Sequence, residues 1–357
     1  MDNFIVISHE PLKTFAASFL KGHGVPADTA ALVAESLISA NLRGVDSHGI
    51  QLLVWYSGQI RAGNVAITES GGVVSEAGSC MVYDGRNGMG QRISTICCDH
   101  AIRIARANGI AMVTVRNSTH FGACAWWAQK LAAAGFLGIV MCNSTALVAP
   151  WQGRERMLGT NPICLAVPGP ETFLLDMATT TVALNKIYKA VLSGDKTIPA
   201  GWAMDAYGHP TTDARTAMDG LPMPLGGYKG SGLAVMVEVL CAVLSGGAML
   251  TDVGGIRYTG KEMRSSHLFL AIDVTRFMPM DEFVARMEWL RDTLKSAEPA
   301  SGFDEVLVAG EPEWRSEKIR RRDGIPVAKG IWDELSKIAG ELGVTVPDVA
   351  GKPASGH

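Results

Sequence analysis

One polar stretch places a histidine where it can exchange protons. It runs Arg43-Gly44-Val45-Asp46-Ser47-His48-Gly49 and separates two helical patterns. Gly44 is suited to end the upstream helix in a left-handed conformation, and Asp46 or Ser47 to cap the next one. His48 would then lie in the first turn of a helix, where the dipole disfavours imidazolium and leaves a neutral imidazole near pH 7. A surface histidine beside a helix cap is the alternative reading.

Four further polar loops follow apolar strand patterns, where α/β proteins tend to place ligand contacts. They are Asn117–Ala123, Asn143–Pro162, Asp176–Thr180 and Pro224–Gly232. The last has four glycines around one lysine before an apolar helix, so free backbone N–H groups beside a cation would suit a phosphate. A glycine-rich turn with a solvated lysine is the alternative.

Single residues in these loops also have simpler readings. Asp176 suits the N-cap of the helix that carries Lys186, and Thr160 and Asn161 suit a turn. Taken together, the phosphate-binding glycines, two histidines in polar turns, a helix lysine and the lack of a metal-ligand cluster favour a nicotinamide oxidoreductase. A serine hydrolase would need a G-x-S-x-G elbow, which this sequence lacks.

The elements that must position these loops follow from apolar periodicity. The first sixty or so residues predict three short helices, and the alternation beyond them predicts a mixed α/β sheet with helices on its faces. The predicted strands are Val73–Glu76, Cys80–Tyr83, Ile110–Val115, Leu137–Met141, Ile163–Val167, Phe173–Leu175, Leu268–Ile272 and Asp304–Val308. The later helices are expected at Ile93–Ala105, Thr179–Leu192, Ser231–Leu244, Asp281–Lys295 and Ile331–Ile338.

The glycine turn at Gly85–Gly90 does not predict a Rossmann fold. It reads G-x-x-G-x-G instead of G-x-G-x-x-G, and no acidic residue closes the following strand. Its glycines are explained by turn geometry alone.

Composition narrows the class of protein. A chain of 357 residues has room for two or more packed units, and its 47% hydrophobic and 19% charged residues indicate a soluble globular protein. A net charge of −3 gives no electrostatic footprint for nucleic acid. The seven cysteines form no C-x-x-C pair, which indicates reduced thiols in the cytoplasm and no zinc site. Neither a secretory signal nor a membrane-spanning segment is predicted.

Five motifs in order resemble those of the type 2 malate/L-lactate dehydrogenase family. They are Gly44–Gly49, Asn117–Ala123, Leu158–Pro162, Leu175–Thr180 and Pro224–Gly232, and the similarity extends from Leu12 to Val344. That family also contains sulfolactate, ureidoglycolate and diketogulonate oxidoreductases and piperideine/pyrroline-2-carboxylate reductases. The resemblance implies a homodimer, NAD or NADP as cofactor, and a mixed-sheet nicotinamide-binding fold unlike the Rossmann fold.

The resemblance also implies a division of the chain. Residues 1–70, joined by 310–345, would form a helical part of the substrate and dimerisation domain. Residues 71–309 would form the mixed α/β cofactor-binding and catalytic region, and 346–357 a disordered tail.

Roles for single residues follow from the resemblance. His48 would donate the proton to the substrate carbonyl, with Ser47 as its hydrogen-bonded partner and Lys186 as a further catalytic residue. The nicotinamide would be bordered by His120, Phe121, Gly122, Ala123 and Cys124. The ribose and phosphates would contact Asp176, Met177, Ala178, Thr179, Thr180, Lys229 and Gly230, and a further part of the cofactor Gly310 and Glu311. Thr160 would contact the substrate.

Leu52 stands where many members have the arginine that clamps a substrate carboxylate. Arg43, Gln51, Arg154 or Arg156 would have to replace it. Lys186, in Asn185-Lys186-Ile187, resembles the hydroxyacid members and favours carbonyl/alcohol chemistry. The predicted function is NAD(P)-dependent hydride transfer to and from C2 of a small 2-oxo/2-hydroxy acid. The alternatives are NADPH-dependent reduction of a cyclic imino acid and a catalytically silent nucleotide-binding protein.

Overall fold

The computed structural model describes residues 3–192 and 194–348. Its strands are β1 (Phe4–Ile7), β2 (Gly72–Ala77), β3 (Cys80–Asp84), β4 (Ile110–Ser118), β5 (Phe136–Cys142), β6 (Ile163–Ala166), β7 (Leu174–Met177), β8 (Ala203–Met204), β9 (Pro210–Thr211), β10 (Leu221–Pro222), β11 (Ser265–Asp273) and β12 (Ile325–Ala328). Its α-helices are α1 (His9–Gly22), α2 (Ala27–Leu42), α3 (Leu52–Arg61), α4 (Gly90–Asn108), α5 (Cys124–Ala133), α6 (Leu184–Leu192), α7 (Ala214–Asp219), α8 (Tyr228–Val237), α9 (Met280–Lys295), α10 (Glu311–Asp323) and α11 (Lys329–Glu341).

A seven-stranded mixed sheet carries most of the chain. Its strand order is β2-β3-β4-β11-β5-β6-β7. Only β3 and β4 run parallel, and the other neighbours are antiparallel. This is not the parallel, doubly wound order of a Rossmann fold, so the predicted mixed-sheet α/β class is confirmed.

Side-chain alternation gives the sheet two apolar faces. On one face, Val113 of β4 and Phe269 of β11 pack with Trp127 of α5, and all three are fully buried. On the other, Leu268 packs with Val237 of α8. The sheet is therefore covered on both faces, as the apolar strand patterns predicted.

The N-terminal helices share a core with the C-terminal end of the described chain. Phe15 and Phe19 of α1 and Leu37 of α2 are buried in one cluster with Trp332 and Leu335 of α11. β1 and β12 pair antiparallel beside this cluster. Chain segments far apart in sequence thus build one unit, which borders the sheet through contacts of α2 with α4.

Several predicted boundaries were wrong. The helix predicted over 179–192 begins only at Leu184, because the backbone before it is paired elsewhere: Thr179 N donates to the Thr160 carbonyl and Thr181 N to that of Met223. No strand forms at 304–308 among the described residues. The apolar run Ser231–Leu244 is α8 followed by a π-helical turn, Glu238–Val243.

The predicted tail, 346–357, is described only to residue 348. Val346 is partly buried and packs against the N-terminal helical core. Positions 349–357 lie outside the described residues. Within the described ranges, no helix combines the length and apolar character needed to cross a bilayer.

Candidate active site

A cavity of about 700 Å³ lies where the N-terminal helical unit, the large sheet and the α6–α7 region meet. That volume is within the range of small-molecule and cofactor sites. The predicted site residues that line it are Arg43, Ser47, His48, His120, Phe121, Gly122, Ala123, Cys124, Arg156, Thr160, Asp176, Met177, Ala178 and Gly310. Motifs separated by more than a hundred residues therefore converge on one space.

Other predicted residues lie outside the wall of this cavity. They are Gln51, Thr179, Thr180, Lys186, Lys229, Gly230 and Glu311. Lys186 is exposed on α6, whose Leu184 and Tyr188 line the cavity instead. Glu311 forms an ion pair with Lys295 at 2.7 Å and accepts the Val308 N–H. Glu313 of the same helix lines the cavity.

His48 lies in a separate 3₁₀ turn, Asp46–His48, and not in the first turn of α3 as predicted. Asp46 caps no helix. Its carboxylate receives both terminal nitrogens of Arg320, at 2.6 and 3.0 Å, and the Asn41 amide at 2.6 Å. The ion pair with Arg320 and the hydrogen bond from Asn41 fix the turn to α10 and α2. The position of His48 therefore depends on residues that are far apart in the sequence.

Ser47 Oγ lies 2.9 Å from Nδ1 of His48. Burial lowers the pKa of His48 to about 4. The imidazole is thus neutral near pH 7, as expected, but burial and not a helix dipole is the cause. With Nδ1 hydrogen-bonded to Ser47, Nε2 is the ring nitrogen left for a ligand.

His120 has a different hydrogen-bond partnership. Its Nδ1 accepts the Gly122 N–H at 3.2 Å and lies 2.9 Å from the hydroxyl of Tyr56, which in turn accepts from Gln91 at 2.8 Å. Because a backbone N–H can only donate, Nδ1 is the acceptor and Nε2 carries the proton. Burial, and to a smaller extent the neighbouring His48 and His267, lowers the pKa of His120 to about 3.

The two imidazoles lie side by side. Their ring centroids are 5.7 Å apart and the planes are inclined by 24°. Behind them, Phe121 stacks on the buried His267 at 4.3 Å, and burial lowers the pKa of His267 to about 3. This end of the cavity is therefore aromatic and uncharged at neutral pH.

Asp176 lies on β7 and accepts the Ala125 N–H in the first turn of α5 at 2.8 Å. The prediction that it caps its own helix is wrong, because α6 begins only at Leu184. Although its carboxyl group is open to the cavity, desolvation by the surrounding protein raises the pKa of Asp176 to about 6. The Ala125 N–H and Arg43 oppose this rise. Arg43 is only 6% exposed, and no hydrogen-bond partner for its Nη1 occurs among the residues described.

A buried carboxylate holds the loop that carries Thr160. Glu238, in the π-helical turn, accepts from the amides of Asn161 at 3.0 Å and Asn143 at 3.2 Å. Asn161, whose φ is +32°, also accepts the Ser144 N–H. π-Helical turns are often found at functional sites. As the single charged residue in the apolar run Ser231–Leu244, Glu238 was the sequence signal for this role.

The loops Asp176–Thr180 and Pro224–Gly232 are joined edge to edge. Thr180 pairs with Pro224, and Leu225 N donates to the Thr179 carbonyl at 3.0 Å. A Cβ on Gly230 would lie 2.3 Å from Leu225 N, so this close approach requires glycine. Lys229 is exposed in the first turn of α8, and the structure brings this lysine to the loop that contains Asp176.

The predicted set omitted several residues that the structure brings to the site. Trp55 and Tyr56 were read only as part of an apolar helix. His267 lies within an apolar strand, and a histidine in such a strand was the sequence signal that could have marked it. Arg257 belongs to a loop that no motif marked. No cluster of three or more potential metal ligands occurs in residues 3–192 and 194–348.

Comparison with known proteins identifies the family. The model of the malate/L-lactate dehydrogenase family matches residues 7–336. The chain belongs to this family. It is 37% identical over 352 residues to the malate dehydrogenase of Pyrococcus abyssi, with 96% of each chain covered. It is 36% identical to the L-sulfolactate dehydrogenase of Methanocaldococcus jannaschii, covering 96% of this chain and 99% of the relative.

Solved structures in the family agree with the fold. The sulfolactate dehydrogenase from Methanocaldococcus jannaschii superimposes with a TM-score of 0.90 over 95% of this chain and 98% of that one, at 35% identity. The Δ1-piperideine-2-carboxylate reductase from Pseudomonas syringae is more distant, with a TM-score of 0.79 and 26% identity over 94% and 99% of the two chains.

A further relative by sequence is the ureidoglycolate dehydrogenase (NAD(+)) of Escherichia coli K12, which is 33% identical over 92% of this chain and 94% of its own.

These comparisons confirm the predicted family and class of enzyme. The protein is a dehydrogenase of small 2-hydroxy acids, acts on the CH–OH group and uses NAD or NADP. Reduction of a cyclic imino acid has only the distant support of the reductase structure.

Proposed function

We propose that this dehydrogenase interconverts a malate-, sulfolactate- or lactate-like 2-hydroxy acid and its 2-oxo acid, with His48 as the proton-transfer residue. The observation that carries this proposal is the pair of neutral imidazoles, His48 and His120, 5.7 Å apart at the aromatic end of the cavity. One can change its protonation state and the other is held as a donor, which is the combination that carbonyl chemistry requires.

The residues present fit a nicotinamide cofactor. Nη1 of Arg43, at the wall, has no hydrogen-bond partner among the described residues, and Gly122 (φ +81°) and Gly310 (φ +100°) line the cavity without a side chain. His120 to Cys124 would border the nicotinamide, Asp176 to Thr180 the ribose, and Lys229-Gly230 at the start of α8 the phosphates. When bound, the cofactor takes or returns a hydride at C4 of its nicotinamide.

The protein's own residues account for the proton. During oxidation, Nε2 of His48 would accept the proton of the substrate hydroxyl, while Nδ1–H donates to Ser47 Oγ. During reduction, the protonated ring returns that proton to the forming alkoxide. Nε2–H of His120 is the available donor to the same oxygen, and Thr160 borders the substrate. Lys186 is exposed on α6 and does not line the cavity, so its catalytic role stays a prediction.

A homodimer fits one surface of the chain. Side chains that are 36–52% exposed form an apolar face on α8 and the segment after it: Val235, Met236, Val239, Val243, Leu244 and Met249. Such a patch marks an interaction surface, and we assign it to a second copy of this chain. This apolar face lies in residues 71–309, the predicted catalytic region, and not in residues 1–70 with 310–345, which the sequence predicted as the substrate and dimerisation part. Six of the seven free cysteines are buried, which suits a reducing cytoplasm.

A substrate screen tests the proposal. L-Malate, L-sulfolactate, L-lactate and ureidoglycolate are offered with NAD⁺ and with NADP⁺, and piperideine-2-carboxylate with NADH and NADPH, while absorbance at the nicotinamide band is followed. Turnover of at least one 2-hydroxy acid is expected. Reduction of the cyclic imine alone would favour the reductase alternative. Cofactor binding without any turnover would favour a silent binding protein.

A further inference from the structure

The proposed reaction leaves the substrate's carboxylate without its usual partner. Leu52 stands where the resemblance to the family implies an arginine on α3, and it is apolar and only 3% exposed. A carboxylate entering a largely apolar cavity must be paired, because burying an unpaired charge is costly. The arginines that line the cavity are the available partners.

Three arginines reach the wall: Arg43, Arg156 and Arg257. Desolvation lowers the pKa of Arg43, and the nearby carboxyl groups of Glu313, Glu317 and Asp176 oppose this shift, so Arg43 already lies close to three acidic side chains. Arg156 donates through Nη2 to the Gly220 carbonyl at 3.1 Å. In the described part of the chain, Arg257 has neither an ion pair nor a hydrogen bond. Arg154, proposed from sequence, does not line the cavity.

Arg257 lies close to the part of α3 where Leu52 stands in place of the expected arginine. Its guanidinium carbon lies 4.4 Å from the ring centroid of Trp55 and 5.7 Å from that of Tyr188. Trp55 is three residues after Leu52 on α3, so both side chains lie on one face of the helix, and both line the cavity. A guanidinium stacked on an indole keeps its N–H edge free for a carboxylate.

The loop that carries Arg257 is anchored to the same helix. The fully buried Gln59 of α3 donates its amide to three carbonyls of the loop, those of Gly255, Ile256 and Tyr258, at 3.0–3.1 Å. The backbone on both sides of Arg257 is therefore fixed to α3. Such an anchor reduces the ordering cost when a ligand binds.

We propose that Arg257 binds the carboxylate of the 2-hydroxy or 2-oxo acid, in place of the arginine that α3 lacks. This inference rests on the proposed function. The cation comes from a different element but occupies the same side of the cavity. A planar fork of N–H groups there would pair with the carboxylate in bidentate fashion, and a lysine would provide only a point charge.

Arg257→Met tests this proposal, with Arg257→Lys as the conservative variant and Arg286→Met on the exposed surface of α9 as the matched control. The probe is oxamate, a non-reducible analogue of a 2-oxo acid, titrated into the enzyme saturated with NADH. We expect the oxamate Kd and the substrate KM to rise about 100-fold in Arg257→Met and about tenfold in Arg257→Lys. The Kd of NADH and the melting temperature should stay unchanged, and Arg286→Met should match the wild type.

Leu52→Arg added to Arg257→Met gives a second measurement. Recovery of oxamate affinity by at least about tenfold is expected, because the new guanidinium returns to the usual position on α3. Unchanged oxamate affinity in Arg257→Met would overturn the inference while leaving the proposed function intact. A wild-type enzyme that binds NADH but neither binds oxamate nor turns over any 2-hydroxy acid would overturn both.

Discussion

The turn that carries His48 and the loop that carries His120 give the two histidines different hydrogen-bond partners at Nδ1. Nδ1 of His120 accepts a backbone N–H, so its tautomer is fixed and its Nε2 is always a donor. Nδ1 of His48 meets a serine hydroxyl, which can either donate or accept. Two histidines that look alike in sequence therefore differ in the one property that matters for proton transfer. His48 can change its protonation state without losing a hydrogen bond, and His120 cannot.

The largest effect should come from removing the switchable ring. His48→Ala is expected to lower kcat by at least about 100-fold, the usual scale for a general acid or base, with little change in the Kd of NADH. Stopped-flow turnover and NADH fluorescence titration measure the two quantities. A variant with kcat close to that of the wild type would remove His48 from the reaction.

The pH profile should show the protonation of His48. With a pKa of about 4, the imidazolium required for reduction becomes about tenfold scarcer with each pH unit above that value. We expect kcat/KM for 2-oxo acid reduction to fall about tenfold per unit between pH 5 and 7, and kcat/KM for oxidation to be flat there. His48→Gln should abolish the slope. A flat reductive profile in the wild type would contradict the assignment.

Smaller effects on kcat are expected from removing the side-chain hydroxyl that contacts each imidazole, Ser47 at His48 and Tyr56 at His120. Ser47→Ala and Tyr56→Phe each remove one hydroxyl, and a hydrogen bond of about 1 kcal/mol corresponds to about fivefold in kcat. Tyr56→Phe should keep the pH profile of the wild type, since the Gly122 N–H still fixes His120. Ser47→Ala should shift the profile of His48. Identical profiles in the two variants would mean that the two imidazoles are not distinguished in this way.

The smallest effect concerns stability. A histidine whose pKa falls from 6.5 to about 4 on folding contributes stability that is complete above pH 6.5 and is lost as pH falls towards 4. The melting temperature of the apoprotein should therefore decrease across this range, and His48→Gln should reduce the decrease by about 2 °C. Scanning calorimetry at pH 4.5 and 7 makes the comparison. An unchanged pH dependence in His48→Gln would show that folding does not lower the pKa of His48.

Local patterns predicted most of the elements but not their ends. Strands β2 to β5 and the helical stripes of α1 and α4 were recognised because apolar spacing is a property of neighbouring residues. The start of α6 was misplaced because Thr179 and Thr181 pair with Thr160 and Met223, which no local rule can indicate.

The sequence by itself determined the mixed α/β class, the failure of the Rossmann fingerprint and the five motifs of the family, because these depend on residue types at short spacing. Only the tertiary structure decided which motif residues meet at the cavity, that burial and not a helix dipole keeps His48 neutral, and that Arg257 lies against Trp55. The physical reason is that pairing, desolvation and tautomer depend on groups brought together from distant parts of the chain.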